Sequence, residues 1–321
     1  MNVLFITSSR IGDAVLSTGL LDHIIRIHPQ ARITIACAPL VASLFEGVPN
    51  LECIIPLQKQ RRHKHWVTLW QQVAGTKWDI VVDLRDSAVS RLIRAKQRYI
   101  FSKHIDKSLH KVQQIASVMQ LDINNPPSPK LWFTETQMDA ANALVKKDDA
   151  KIIGVGPTAN WIGKTWPAEN FIKIVQHLTG AEGTFTGARV AVFAAPGEEE
   201  AAEQVLASIP VARQIDLIAK TDPATAAACL SLCDFYIGND SGLMHCAAAA
   251  GVPTFGVFGP SYPHLYAPWG DHATYAQTPE TFDELIDFKG YDPKTLDRSL
   301  MVSLTVYDVK IALTKFLSRV I

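Results

Sequence analysis

Two stretches place reactive or anion-binding groups where a strand gives way to a helix. SSRIGDAVLSTGLL, residues 8–21, follows the apolar run Val3–Thr7 and sets one carboxylate, Asp13, next to Gly12 at a helix start. That junction is where α/β proteins bind phosphate, a partner an aspartate would repel. Asp13 is therefore either a helix cap or a general base for a reacting hydroxyl. IGNDSGLMHCAAAAGVPTFGVFGPS, residues 237–261, has the opposite character. The backbone N–H groups of Ser241, Gly242 and Leu243 have no helical partner there and would receive a diphosphate. Asp240 or Ser241 could simply be an N-cap, but capping does not require the small residues through Ala250 or a second turn at Phe258-Gly259-Pro260-Ser261. His245 either faces the same region or is a core histidine.

Two further segments could supply charge. GPTANWIGKTWP, residues 156–167, holds Gly163-Lys164-Thr165, but a P-loop needs glycine where Thr158 stands, so a P-loop NTPase is rejected. Lys164 remains a point charge for phosphate, or an exposed lysine ahead of a proline-started helix. AAPGEEEAAEQV, residues 194–205, puts acids at a strand end, where nucleotide-binding sheets grip ribose hydroxyls. Glu199 or Glu200 is expected to make that contact, although the first turn of any helix favours acids.

The elements that must position these groups alternate along the chain. Apolar runs at 3–7, 32–37, 53–55 and 80–84, then at 152–156, 189–193, 235–238 and 254–258, are separated by helical patterns. Such βαβα order predicts buried parallel sheets with helices on both faces. NNPPSPK, residues 124–130, should be an exposed connection, and the DDAK turn opens a second series. The expected fold is α/β: two Rossmann-like, doubly wound domains, 1–150 and 151–321, facing a cleft. The last helix, about 306–320, has an apolar stripe that could pack back on the first domain.

Composition narrows the class. The 321 residues are 48% hydrophobic and 19% charged, as in a well-cored globular chain. Five cysteines without a C-x-x-C pair indicate neither a disulfide framework nor a zinc site and fit a reducing cytoplasm. No signal-peptide pattern or membrane-spanning run is present. The net charge of zero hides 19 Lys and Arg against 13 Asp and Glu in residues 1–150, and 12 against 18 in 151–321. The basic half, concentrated in KQRRHKHW (59–66) and in residues 91–111, points to an anionic partner or a membrane surface. A first turn without G-x-G-x-x-G argues against a dehydrogenase.

Taken together, Arg10-Ile11-Gly12-Asp13, HPQARI, WDIVVDLRDS, GPTAN with GKTWP, and NDSGLMHCAAAAGVPTFGVFGP resemble the heptosyltransferase family of bacterial lipopolysaccharide core assembly, glycosyltransferase family 9. The resemblance implies a GT-B fold and metal-independent, inverting transfer of a sugar from a nucleotide-sugar, typically ADP-heptose, to a lipid-linked acceptor. It implies Asp13 as base, Lys164 on the phosphates, and Asp240, Ser241, Gly242 and His245 on donor diphosphate and sugar. Gly12, Arg61, Arg62 and Lys64 are then expected at the anionic acceptor, with peripheral contact at the cytoplasmic face of the inner membrane. Neither a cofactor, a metal nor a nucleic-acid partner is expected. The ribose segment departs from the family, reading APGEEE where Trp-Gly or Gly-Ser is more usual. Two other readings compete: a GT-B-like nucleotide-sugar 2-epimerase and a catalytically silent nucleotide-sugar-binding protein.

Overall fold

A computed structural model describes residues 1–321, which divide into two compact units, Met1–Glu135 and Thr136–Ile321. The division precedes the DDAK turn because the helix Glu135–Val145 is tied to the second unit: the Arg189 guanidinium donates to the carbonyls of Val145 and Lys146.

The first unit is built on five parallel strands, β1 (Asn2–Ile6), β2 (Arg32–Cys37), β3 (Leu51–Pro56), β4 (Trp78–Asp83) and β5 (Ala95–Ile100), in the order β3-β2-β1-β4-β5. β1 lies at the centre, with Val3–Ile6 fully buried, so its unbroken apolar run is what a strand covered on both faces requires. The helix Ile11–Ile27 follows it. Gly19 on that helix lets the proline segment approach: a Cβ there would meet the Pro127 carbonyl oxygen at 2.2 Å. The expected exposed connection is thus partly packed, with Pro126 buried and Lys130 N–H donating to Thr18 Oγ1 at 2.9 Å.

The second unit has six parallel strands, β6 (Ile152–Gly156), β7 (Arg189–Ala194), β8 (Gln214–Ile218), β9 (Phe235–Asn239), β10 (Thr254–Phe258) and β11 (Ala273–Gln277), in the order β11-β10-β9-β6-β7-β8. Every residue of β6, β9 and β10 is buried. Phe171 and Ile174 of the helix Ala168–Thr179 fill the core on one face, together with Val309, Leu313, Phe316 and Leu317 of the last helix, Val306–Val320. That apolar stripe therefore belongs to the core of the second unit. In each sheet the chain reverses direction of winding beside the first strand of the unit, between β1 and β4 and between β9 and β6. Ligands of open parallel sheets bind beyond the carboxyl ends of strands at such points.

Candidate active site

At the carboxyl end of β9, Asn239-Asp240-Ser241 leads into the helix Gly242–Ala249. Ser241 occupies the cap position in extended conformation, yet its side chain accepts no hydrogen bond from the helix. Leading N–H groups of this helix consequently lack a side-chain cap, at the end where the helix dipole is positive. Asn239 is fully buried, and its Oδ1 accepts from the Trp166 N–H at 2.8 Å, which fastens the loop after β6 to the end of β9. The Trp166 indole, itself buried, donates to the Leu304 carbonyl at 2.8 Å.

This anchoring brings Lys164 to Asp240, with Nζ 3.4 Å from Oδ2 and both side chains mostly buried. Gly163 is explained by packing, since a Cβ there would lie 2.5 Å from the Trp161 ring, and its carbonyl accepts from Leu300. His245 is buried one turn inside the helix.

Glycines open room for one large residue between the two central strands. Gly156 and Gly238 are register partners on β6 and β9, and the phenol of Tyr236 lies over both. A Cβ on either would meet Tyr236 Oη at 2.1 or 2.2 Å. The Tyr236 hydroxyl ends beside Ser241, and burial raises its pKa far above the usual phenol range. Side-chain polar atoms that are buried without standard hydrogen-bond geometry gather here: Thr158 Oγ1, Trp161 Nε1, Tyr236 Oη, Asn239 Nδ2, Ser241 Oγ and Ser261 Oγ. Apart from Tyr236, which lies within β9, they follow or end β6, β9 and β10, and they have no counterpart in the first unit. Tyr236 Oη lies beside Ser241 and Thr158 beside Glu198. That leaves Trp161 Nε1, Asn239 Nδ2 and Ser261 Oγ without a protein partner at the carboxyl ends of the central strands, and buried polar groups in that condition are uncommon.

The three consecutive glutamates separate. Glu199 turns its Oε1 back to the Gly197 N–H at 2.9 Å, which lowers its pKa, and Glu200 is exposed. Glu198, at the cap position of the helix Glu199–Ala207, is half-buried and approaches the Thr158 hydroxyl and Lys164. Desolvation raises its carboxyl pKa, opposed by Thr158 and by the Lys164 charge. The sequence expectation named Glu199 or Glu200, whereas Glu198 is the acid of the three that turns toward Lys164. The available signal was that the first of the three acids falls where a cap residue turns back toward the strand end.

In the first unit, Arg10 and not Asp13 occupies the cap position of the helix Ile11–Ile27. Asp13 stands third within the helix beside Gly12, so the capping alternative is set aside, and no hydrogen bond or ion pair ties its carboxylate. Lys111, which begins the helix Lys111–Ser117, lies with Nζ 4.5 Å from the centre of the Phe101 ring. Burial lowers the Lys111 pKa, an effect that the Asp13 charge opposes. Arg61, Arg62 and Lys64 are exposed in the turn ahead of the helix Lys64–Val73, with Arg62 and His63 both left-handed at φ 54° and 57°. Successive strained residues of this kind persist where the surroundings enforce them, and they cluster at binding loops. No group of three or more His, Cys, Asp or Glu side chains is placed to hold a metal ion.

The model of glycosyltransferase family 9 (heptosyltransferase) matches residues 66–290. Lipooligosaccharide heptosyltransferase 2 of Campylobacter jejuni is 28% identical over 272 residues, 81% of this chain and 82% of that protein. Lipopolysaccharide heptosyltransferase 2 of Salmonella typhimurium is 24% identical over 308 residues, 84% and 85% of the two chains. Among solved structures, Escherichia coli ADP-heptose lps heptosyltransferase II superposes with TM-score 0.74 at 21% identity over 99% of both chains. Escherichia coli WaaC with ADP gives TM-score 0.71 at 18% identity over 98% of this chain and 100% of that one. These likenesses give the fold as GT-B. With the family model matching most of its length, this chain belongs to glycosyltransferase family 9, the heptosyltransferases, and is a glycosyltransferase.

Proposed function

We propose that the chain moves a heptosyl group from ADP-heptose to a sugar of the lipopolysaccharide core, with inversion at the anomeric carbon and without a metal ion. The observation that carries this reading is the carboxyl end of β6, β9 and β10, which gathers Lys164, the helix start at Ser241 and the unpartnered Trp161 Nε1, Asn239 Nδ2 and Ser261 Oγ. Relatives named as heptosyltransferases of lipopolysaccharide or lipooligosaccharide support the acceptor class. The neighbour solved with ADP supports the nucleotide.

In the reaction the acceptor hydroxyl gives its proton to an Asp13 carboxylate oxygen as its own oxygen bonds to the anomeric carbon. The bond from that carbon to the diphosphate oxygen breaks on the opposite face, leaving ADP with an added negative charge. Lys164 and the N–H groups of Ser241, Gly242 and Leu243 stabilise that charge as it develops, so they act on the transition state more than on the ground state. Asp240 holds the Lys164 ammonium, and His245 lies against the sugar. Of the acids after β7, Glu198 is assigned to the ribose hydroxyls in preference to Glu199 and Glu200, since Glu199 already serves Gly197 and Glu200 is exposed. Gly12, Arg61, Arg62 and Lys64 meet the anionic, lipid-linked acceptor at the inner membrane.

The test is transfer from ADP-heptose to a heptose-accepting core glycan in the presence of a chelator, read as product and as released ADP. Asp13→Asn is expected to lower turnover on the order of 10²–10⁴-fold with donor affinity little changed. Donor conversion without any acceptor, or normal turnover by Asp13→Asn, overturns the scheme.

A further inference from the structure

Tyr236 stands within β9 and is fully buried, where phenylalanine would fill the same groove with no polar atom to satisfy. The fold nevertheless makes room for the hydroxyl itself. A Cβ on Gly156 or on Gly238, register partners on β6 and β9, would overlap Oη. At Gly156 the nearest ring carbon would be 3.1 Å away, so it is chiefly the oxygen that demands glycine there. Glycine weakens a strand interior, and clearing space for one oxygen in two central strands calls for a reason.

The neighbour of that oxygen is Ser241, and neither hydroxyl has another hydrogen-bond partner. Ser241 holds the cap position of the helix Gly242–Ala249 in extended conformation. From there a serine hydroxyl ordinarily accepts from the N–H two or three residues on, here Leu243 or Met244. It accepts from neither. Residues of the same kind do cap other helices of this unit: Asp222 accepts from Ala224 and Thr225, Thr281 from Glu284, and Thr305 from Asp308. What sets Ser241 apart is the buried phenol against its side chain.

We propose that Tyr236 is a positioning residue for the donor diphosphate: its hydroxyl holds the Ser241 side chain off the helix, so that the Leu243 and Met244 N–H groups stay open to a phosphate oxygen. Capping by serine and binding of phosphate would use the same N–H groups, and the phenol removes the internal competitor. The proposal rests on the reading of this helix start as the donor site and names what keeps it open.

The test uses the full chain with ADP and no acceptor. Tyr236→Phe lets Ser241 cap, which should weaken ADP binding about fivefold in a calorimetric titration, the equivalent of one N-cap of about 1 kcal/mol. In chains that already carry Ser241→Ala this effect of Tyr236→Phe should disappear, because no hydroxyl is left to compete. The ligand-free chain gives a separate readout: amide exchange at Leu243 and Met244, followed by NMR, should be slower in Tyr236→Phe than in the parent. An equal loss of affinity in both backgrounds, which a packing role alone would produce, overturns the proposal. So does unaltered affinity in Tyr236→Phe, or unaltered exchange at those two amides. A parent chain that bound no ADP would count against the donor reading, while slower exchange in Tyr236→Phe would still sustain the hold of Tyr236 on Ser241.

Discussion

The ribose contact proposed for Glu198 would come at the expense of the empty fold. Its carboxyl is half-buried and its pKa is raised, so the folded chain holds that proton more tightly than the unfolded chain does. Stability from this group is therefore present below the ordinary carboxyl range and is lost as pH rises through the raised folded value. Glu198→Gln should melt higher than the parent at neutral pH, with the gap closing below the ordinary glutamate pKa. The same variant should bind ADP-heptose roughly tenfold or more weakly, because a hydrogen bond to a charged group contributes about 1.5–3 kcal/mol. Calorimetric melting at two pH values, with a donor titration, checks both; a variant less stable at neutral pH would contradict the account. The placement of Lys164, Asp240 and Ser241 after strand ends is legible in sequence because such turns carry short polar motifs. The packing of Tyr236 and Asn239 is not, since nothing in FYIGN says that the phenol lies along two glycines or that the amide grips a distant loop.

Strands in the middle of the sheets are legible in sequence for the same reason that they are central. Val3–Ile6, Ile152–Gly156 and Thr254–Phe258 are covered on both faces, and only a continuous apolar run tolerates that. The strands not anticipated, β5, β8 and β11, all lie at sheet edges, where AKQRYI, QIDLI and ATYAQ mix polar and apolar residues. At the centre of the second sheet, packing between elements gives a sharp prediction. Gly156→Ala forces a methyl against Tyr236 Oη, a terminal atom, with the ring carbon behind it 3.1 Å away. Overpacking of this kind costs about 1–3 kcal/mol, and Tyr236→Phe should recover most of it. Gly238→Ala meets Tyr236 Cζ at 2.7 Å and the Gly156 carbonyl at 2.8 Å as well, so removing the hydroxyl should not rescue it. Denaturant unfolding of the three single and two double variants measures the contrast. Equal rescue at both glycines would mean that the ring, and not the backbone, yields.

For the molecule as a whole, the two units need not respond alike to nucleotide. The proposed diphosphate receptor is assembled entirely from residues of the second unit, with Lys164 after β6, Glu198 after β7 and Ser241 after β9. A ligand stabilises what it binds by about 2.7 kcal/mol at 100 times its Kd, and amide exchange reports where that energy resides. ADP should therefore slow exchange most at the start of the helix Gly242–Ala249 and in the loop 157–166. The helix Ile11–Ile27, which carries Asp13 in the first unit, should change little until an acceptor is added. Hydrogen exchange read by mass spectrometry on the free chain, with ADP, and with ADP and a core glycan separates the steps. If ADP alone protected the amides around Gly12 and Asp13 more than those around Ser241, the first-unit turn would be the phosphate site. Asp13 could not then be the base.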